Sequence, residues 1–143
     1  MKIFFTFVLF LFFLNLSNVS SKENFFEEAK NLFEKKKYEK SKFLFQRNIV
    51  FNTKHAESYL YLAKIFEIEE NESEELKNVN TTLLLDPKNE EALYMLIDIN
   101  LERSNFTKVR ELQKRFEIAC TNLCEKKNSI EKRLNNFDTN NES

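Results

Sequence analysis

Glycine and tryptophan are missing from this chain of 143 residues, proline and histidine occur once each, and cysteine occurs twice. Glycine supplies the positive-φ positions of tight hairpins and the bare backbone of phosphate-binding loops. Its absence weighs against a β-rich fold, a dinucleotide-binding fold and a P-loop. Charge of one sign is lacking too: 22 Lys and Arg nearly cancel 23 Asp and Glu, for a formal net charge of −1. No basic excess points to nucleic acid, and no acidic block points to a cation store. The single histidine, His55, stands beside Lys54 and far in sequence from both cysteines. Zinc would need more ligands than this spacing offers, and a nucleophile would need a base and an orienting acid. No catalytic residue, metal site or cofactor is therefore expected, and His55 reads as a surface or helix-capping residue.

One long apolar run stands out. MKIFFTFVLFLFFLNLSNVSS has a single Lys, then an apolar stretch from Ile3 to Leu14 broken only by Thr6, then small and polar residues. This is the three-part form of a secretory signal peptide, residues 1–21, with cleavage near Ser20 or Ser21. The competing reading is a retained membrane anchor, but the run falls short of the ~20 residues that span a bilayer. Membrane contact is thus expected only through this segment before cleavage. Export predicts a periplasmic or secreted protein in an oxidising compartment.

The rest of the chain repeats. LLLDPKNEEALYML, Leu83 to Leu96, reads as one helix ending, a break at Asp86-Pro87 and a second helix starting. Steps of 34 residues align Glu23, Glu57 and Glu91; Phe25, Tyr59 and Leu93; Ala29, Ala63 and Ile97; and the break positions Thr53, Pro87 and Thr121. Three units follow, about 22–55, 56–89 and 90–123. Within them the apolar spacing is helical, as in Phe25, Phe26, Ala29, Leu32 and Phe33, and not the two-residue alternation of strands. Short polar linkers at Lys36-Lys37, Glu70–Ser73 and Ser104-Asn105 separate paired helices. Pro87 disfavours helix at Asp86, Asn89 can cap the next helix, and Glu90 and Glu91 sit in its positive first turn. After Cys124, Ile130, Leu134 and Phe137 at i, i+4 and i+7 predict a last, mostly polar helix that covers the open apolar end of the array. The expected fold is all-α: a helix–turn–helix solenoid of three units plus a C-terminal capping helix over 22–136, followed by a disordered tail, 137–143.

These residues resemble the tetratricopeptide repeat family, whose units are 34-residue helix–turn–helix pairs. The second unit carries the resemblance best, through Tyr59, Leu62, Ala63, Phe66, Leu83 and Pro87. The family's first glycine is replaced by Ala29, Ala63 and Ile97, and its second by Lys36, Glu70 and Ser104. Asn100 stands where an aromatic is usual, and Thr53 and Thr121 replace proline. The resemblance implies a concave groove lined by the first helix of each unit. Carried over by position, that groove would present Phe26, Lys30 and Phe33, then Leu60 and Lys64, then Tyr94, Asp98 and Leu101. Such a face suits an extended or helical peptide. The alternative is that its apolar members only widen the core stripe and its charges are solvated.

Cys120 and Cys124, in ACTNLC, flank the position equivalent to Pro87. In an exported protein a disulfide there would staple the third unit to the capping helix. Were the segment to stay helical, the pair would stand one turn apart on one face, and bridging would be strained. Free buried thiols and a thiol-active role stay open, although the spacing is not Cys-x-x-Cys. The expectation is an exported, non-enzymatic protein-interaction module, an adaptor or assembly factor of a bacterial envelope with a protein or peptide partner. A self-associating structural module, with homo-oligomers, and a thiol-active accessory are the alternatives.

Overall fold

A computed structural model describes residues 24–141, with side chains described through residue 136. The expected signal segment and its cleavage site, the Phe137 side chain and the last two residues lie outside the described residues. Among the described residues the chain forms seven helices and no strand: α1 (Phe25–Glu34), α2 (Tyr38–Phe51), α3 (Ala56–Ile68), α4 (Glu72–Leu85), α5 (Glu90–Glu102), α6 (Phe106–Ala119) and α7 (Lys126–Asn141). None of these helices is long and apolar enough to cross a membrane.

The 34-residue register is visible in the helix limits. The second helices start at Tyr38, Glu72 and Phe106 and end at Phe51, Leu85 and Ala119. The first helices of units two and three start at Ala56 and Glu90. The turns within units repeat as well. Lys36, Glu70 and Ser104 have φ of 57°, 54° and 55°, the left-handed region that glycine enters most easily. At each, two backbone bonds close the helix end. The Lys36 and Lys37 N–H groups reach the carbonyls of Phe33 and Leu32, those of Glu70 and Asn71 reach Glu67 and Phe66, and those of Ser104 and Asn105 reach Leu101 and Asn100. This is the Schellman closure, built three times without glycine.

Four of the helix starts are capped by a side chain. The Asn89 side chain accepts from the Ala92 N–H at 3.0 Å, that of Asn71 from Glu74 and that of Asn24 from Glu27. His55 caps α3, its Nδ1 accepting from the Ser58 N–H at 3.2 Å. Asn100, which replaces an aromatic, is buried yet satisfied. Its amide donates to the Leu96 carbonyl at 2.7 Å, and its side-chain oxygen accepts from Asn105 Nδ2 at 3.1 Å. Ser41, also buried, donates to the Ala29 carbonyl at 2.8 Å and so ties α2 to α1.

Two apolar clusters form the interior. The smaller joins units one and two through Ala29, Phe45, Leu62, Ile65 and Phe66. The larger runs from Leu60 and Ala63 through α4, α5 and α6 to Ile130 and Leu134 on α7. Helix α3 contributes to both. The cap therefore covers the end of the array with the residues its i, i+4 spacing indicated, and α7 continues to Asn141.

Candidate functional site

The first helices stand side by side, and their contacts link the residues expected to line a groove. Phe26 on α1 lies 5.9 Å from Tyr61 on α3, and Phe33 lies 5.2 Å from the same ring. Phe26 also packs on Phe45 and on His55. Lys64 on α3 pairs with Glu91 on α5 at 2.5 Å and holds its ammonium 4.7 Å from the Tyr61 ring centre. Tyr94 packs on Phe116 and receives the Lys126 ammonium at 5.6 Å, while Asp98 pairs with Arg133 of α7. Phe26, Lys30, Phe33, Lys64, Tyr94 and Asp98 are all half-buried. Leu60 and Leu101 are buried in the larger cluster and offer no surface. In both cases the first helix is packed on two sides, so its apolar stripe is wider than the groove register implied.

The register did not single out Tyr61, yet this ring is the hub of the face, since it also stacks on Phe45 at 4.9 Å. Its equivalents one period away are Glu27 and Met95, so nothing recurs there to mark it. Next to this face is a cleft of about 280 Å³ lined by Glu67, Glu70, Glu72, Glu75, Asp98, Ile99 and Glu102. Burial pushes the Glu75 carboxyl up to about 7, with Glu67, Glu102, Glu72 and Asp98 adding like-charge repulsion. Burial and then Asp98 also raise Glu67. Such a cleft favours a cationic side chain over a carboxylate or an apolar one.

The third unit boundary is built differently from the others. Helix α6 stops at Ala119, and Cys120 turns extended at ψ 138°. Cys120 and Cys124 are disulfide-bonded across a non-helical loop, with Cα atoms 5.3 Å apart. The loop backbone converges on the first residue of α5. The Thr121, Asn122 and Leu123 N–H groups donate to the Glu90 carboxylate at 2.6, 3.0 and 3.1 Å, and Asn122 Nδ2 adds a further bond at 3.0 Å. Burial pushes the Glu90 carboxyl up, but the backbone donors of Thr121 and Leu123 and both groups of Asn122 outweigh it and hold the pKa at about 2. Because the folded value lies below the unfolded one, the stabilisation is complete above about pH 4.5 and is lost as pH falls towards 2. Glu90→Gln is expected to remove on the order of 1 kcal/mol at neutral pH, allowing for solvent screening, and to flatten the acid dependence. Urea midpoints measured between pH 6 and about 2 read both effects; an unchanged slope would refute the assignment.

No protein-family model matches the chain, and no curated protein matches it either. Solved structures do match. The type III secretion translocator chaperone SycD of Yersinia enterocolitica superposes with a TM-score of 0.71 at 15% identity, over 92% of this chain and 94% of that one. SycD in complex with a peptide of the translocator YopD gives 0.70 at 15% identity, over 87% and 99%. The Sgt2 TPR domain from Aspergillus fumigatus gives 0.69 at 11% identity, over 87% and 84%. At these identities the likeness is one of fold: a tetratricopeptide-like helical repeat.

Proposed function

We propose that this chain is an exported protein-interaction module that takes a segment of a partner protein against the face of α1, α3 and α5. The observation that carries this reading is the side-by-side row of Phe26, Phe33, Tyr61, Lys64, Tyr94 and Asp98, adjoining the acidic cleft. Aromatic rings offer contact area at little conformational cost, and the cleft selects a basic side chain. The partner segment is therefore amphipathic, with apolar anchors and at least one Lys or Arg. The fold likeness to SycD, recorded with a peptide of YopD, supports peptide capture as the mode. The protein acts as an adaptor or assembly factor and carries out no reaction. The signal-like N-terminal sequence supports a periplasmic or secreted location in a bacterial envelope.

Truncating Phe26 or Tyr94 would mix loss of packing with loss of binding, because Phe26 packs on Phe45 and Tyr94 on Phe116. Photo-crosslinking avoids this. A benzophenone side chain in place of Lys30, half-buried on α1, is expected to crosslink a partner segment in the native envelope. The same group in place of Lys40, exposed on α2, is not. Equal yields from both positions, or capture from Lys40 alone, would move the binding face elsewhere.

A further inference from the structure

The second helices carry a recurring exposed residue that the core does not use. Val50, Leu84 and Ile118 occupy the same place in the three units, 34 residues apart near the ends of α2, α4 and α6, and are 74%, 80% and 81% exposed. Single exposed aliphatic side chains are ordinary on protein surfaces. One at the same register position of every unit makes a row along one edge of the array. Basic residues flank each member within about one helical turn: Lys54 after Val50, Lys88 after Leu84, and Lys114 before Ile118, while Arg47, before Val50, lies over the Phe25 ring at 4.3 Å. The nearest acidic residues in sequence are half-buried Asp86, which accepts from the Lys88 backbone N–H and from Asn89 Nδ2, and Glu117, which accepts from Gln113 Nε2.

The chain enters the fold at one end of this row. Phe25, the first residue of α1, stacks on Phe51 at 5.7 Å, and Phe51, next to Val50, is itself exposed. Nine residues in sequence, 15 to 23, connect Asn24 to the apolar run Ile3–Leu14. Fully extended they reach about 30 Å. We propose that this edge is a lipid-contact surface: the Val50–Leu84–Ile118 row inserts at the headgroup boundary of an anionic bilayer, with the flanking Lys54, Lys88 and Lys114 side chains on its phosphates. Before the expected cleavage, the apolar run and the exposed row would then meet the same membrane, on the side where the chain enters α1. This does not depend on what the first helices bind.

The chain has no tryptophan, so Leu84→Trp supplies a single reporter in the full-length protein. Vesicles of phosphatidylcholine and phosphatidylglycerol are expected to shift its emission to shorter wavelength, and lipids brominated on the acyl chain to quench it. Raising the salt concentration should weaken the effect, because the basic flank is exposed to screening. Adding Val50→Ser and Ile118→Ser should reduce the quenching while helical circular dichroism is unchanged; Ile118→Trp alone repeats the measurement should Leu84→Trp fail to fold. An indole that keeps its water-exposed emission while the protein floats with the vesicles overturns the proposal, as does failure to float. A concentration-dependent shift without vesicles overturns it in favour of a second copy of this chain on the row.

Discussion

Replacing Lys36, Glu70 and Ser104 together by glycine is expected to raise the thermal midpoint by roughly 6–10 °C, from about 2 kcal/mol of added stability. All three residues are held at φ near 55°. A side chain with a Cβ pays about 1–2 kcal/mol there, and glycine returns about 0.5–1 kcal/mol through the greater freedom of its unfolded chain. The three turns belong to different units and share no partner, so the gains should add. Glu70 also lines the acidic cleft, and losing its charge acts in the same direction. Thermal melts followed by circular dichroism check this. Ser104→Val should move the other way, because a β-branched side chain fits the left-handed region worst. A triple variant that melts at the wild-type temperature would mean that these turns carry no conformational strain.

Phe45→Ala is expected to remove about 3–5 kcal/mol, and to do so unevenly. Phe45 is fully buried in the smaller cluster, between the rings of Phe26 and Tyr61. Only Ala29, Leu62, Ile65 and Phe66 are buried with it, so the cavity has few neighbours to close it. Helix α3 is also held from its other side, through Leu60 and Ala63. Against a total stability of about 5–15 kcal/mol, the loss should detach α1 and α2 while α3 to α7 stay folded. Amide hydrogen exchange reads this directly. Fast exchange confined to residues 25–51 is the expected result; uniform loss of protection would show that the two clusters melt as one.

Much of this architecture was legible because each unit restates it. The 34-residue step located the helix limits, Asn89 announced its cap, and Ile130 and Leu134 announced the face of α7. The replacement of glycine at Lys36, Glu70 and Ser104 was visible as a departure from the family pattern. The structure shows that the backbone keeps the glycine conformation there without the residue. The face of the first helices was only partly legible. Helical spacing states which positions share a face, but not how many neighbours press on it, and Leu60 and Leu101 lie inside for that reason. Glu90 read as a helix-start carboxylate. Its bonds to residues 121–123 join positions over thirty residues apart, and no local pattern encodes such a contact.

That contact bears on how the chain matures. The loop carrying the cysteines is gathered by a carboxylate that heads a different helix, so residues 121–123 take their folded conformation only once α5 and the end of α6 have docked. A nascent chain with α5 unformed has nothing to hold residues 121–123 in place. Closing the disulfide across this short loop narrows the conformations from which residues 121–123 reach Glu90, so the covalent bond and the carboxylate support one another across the unit boundary.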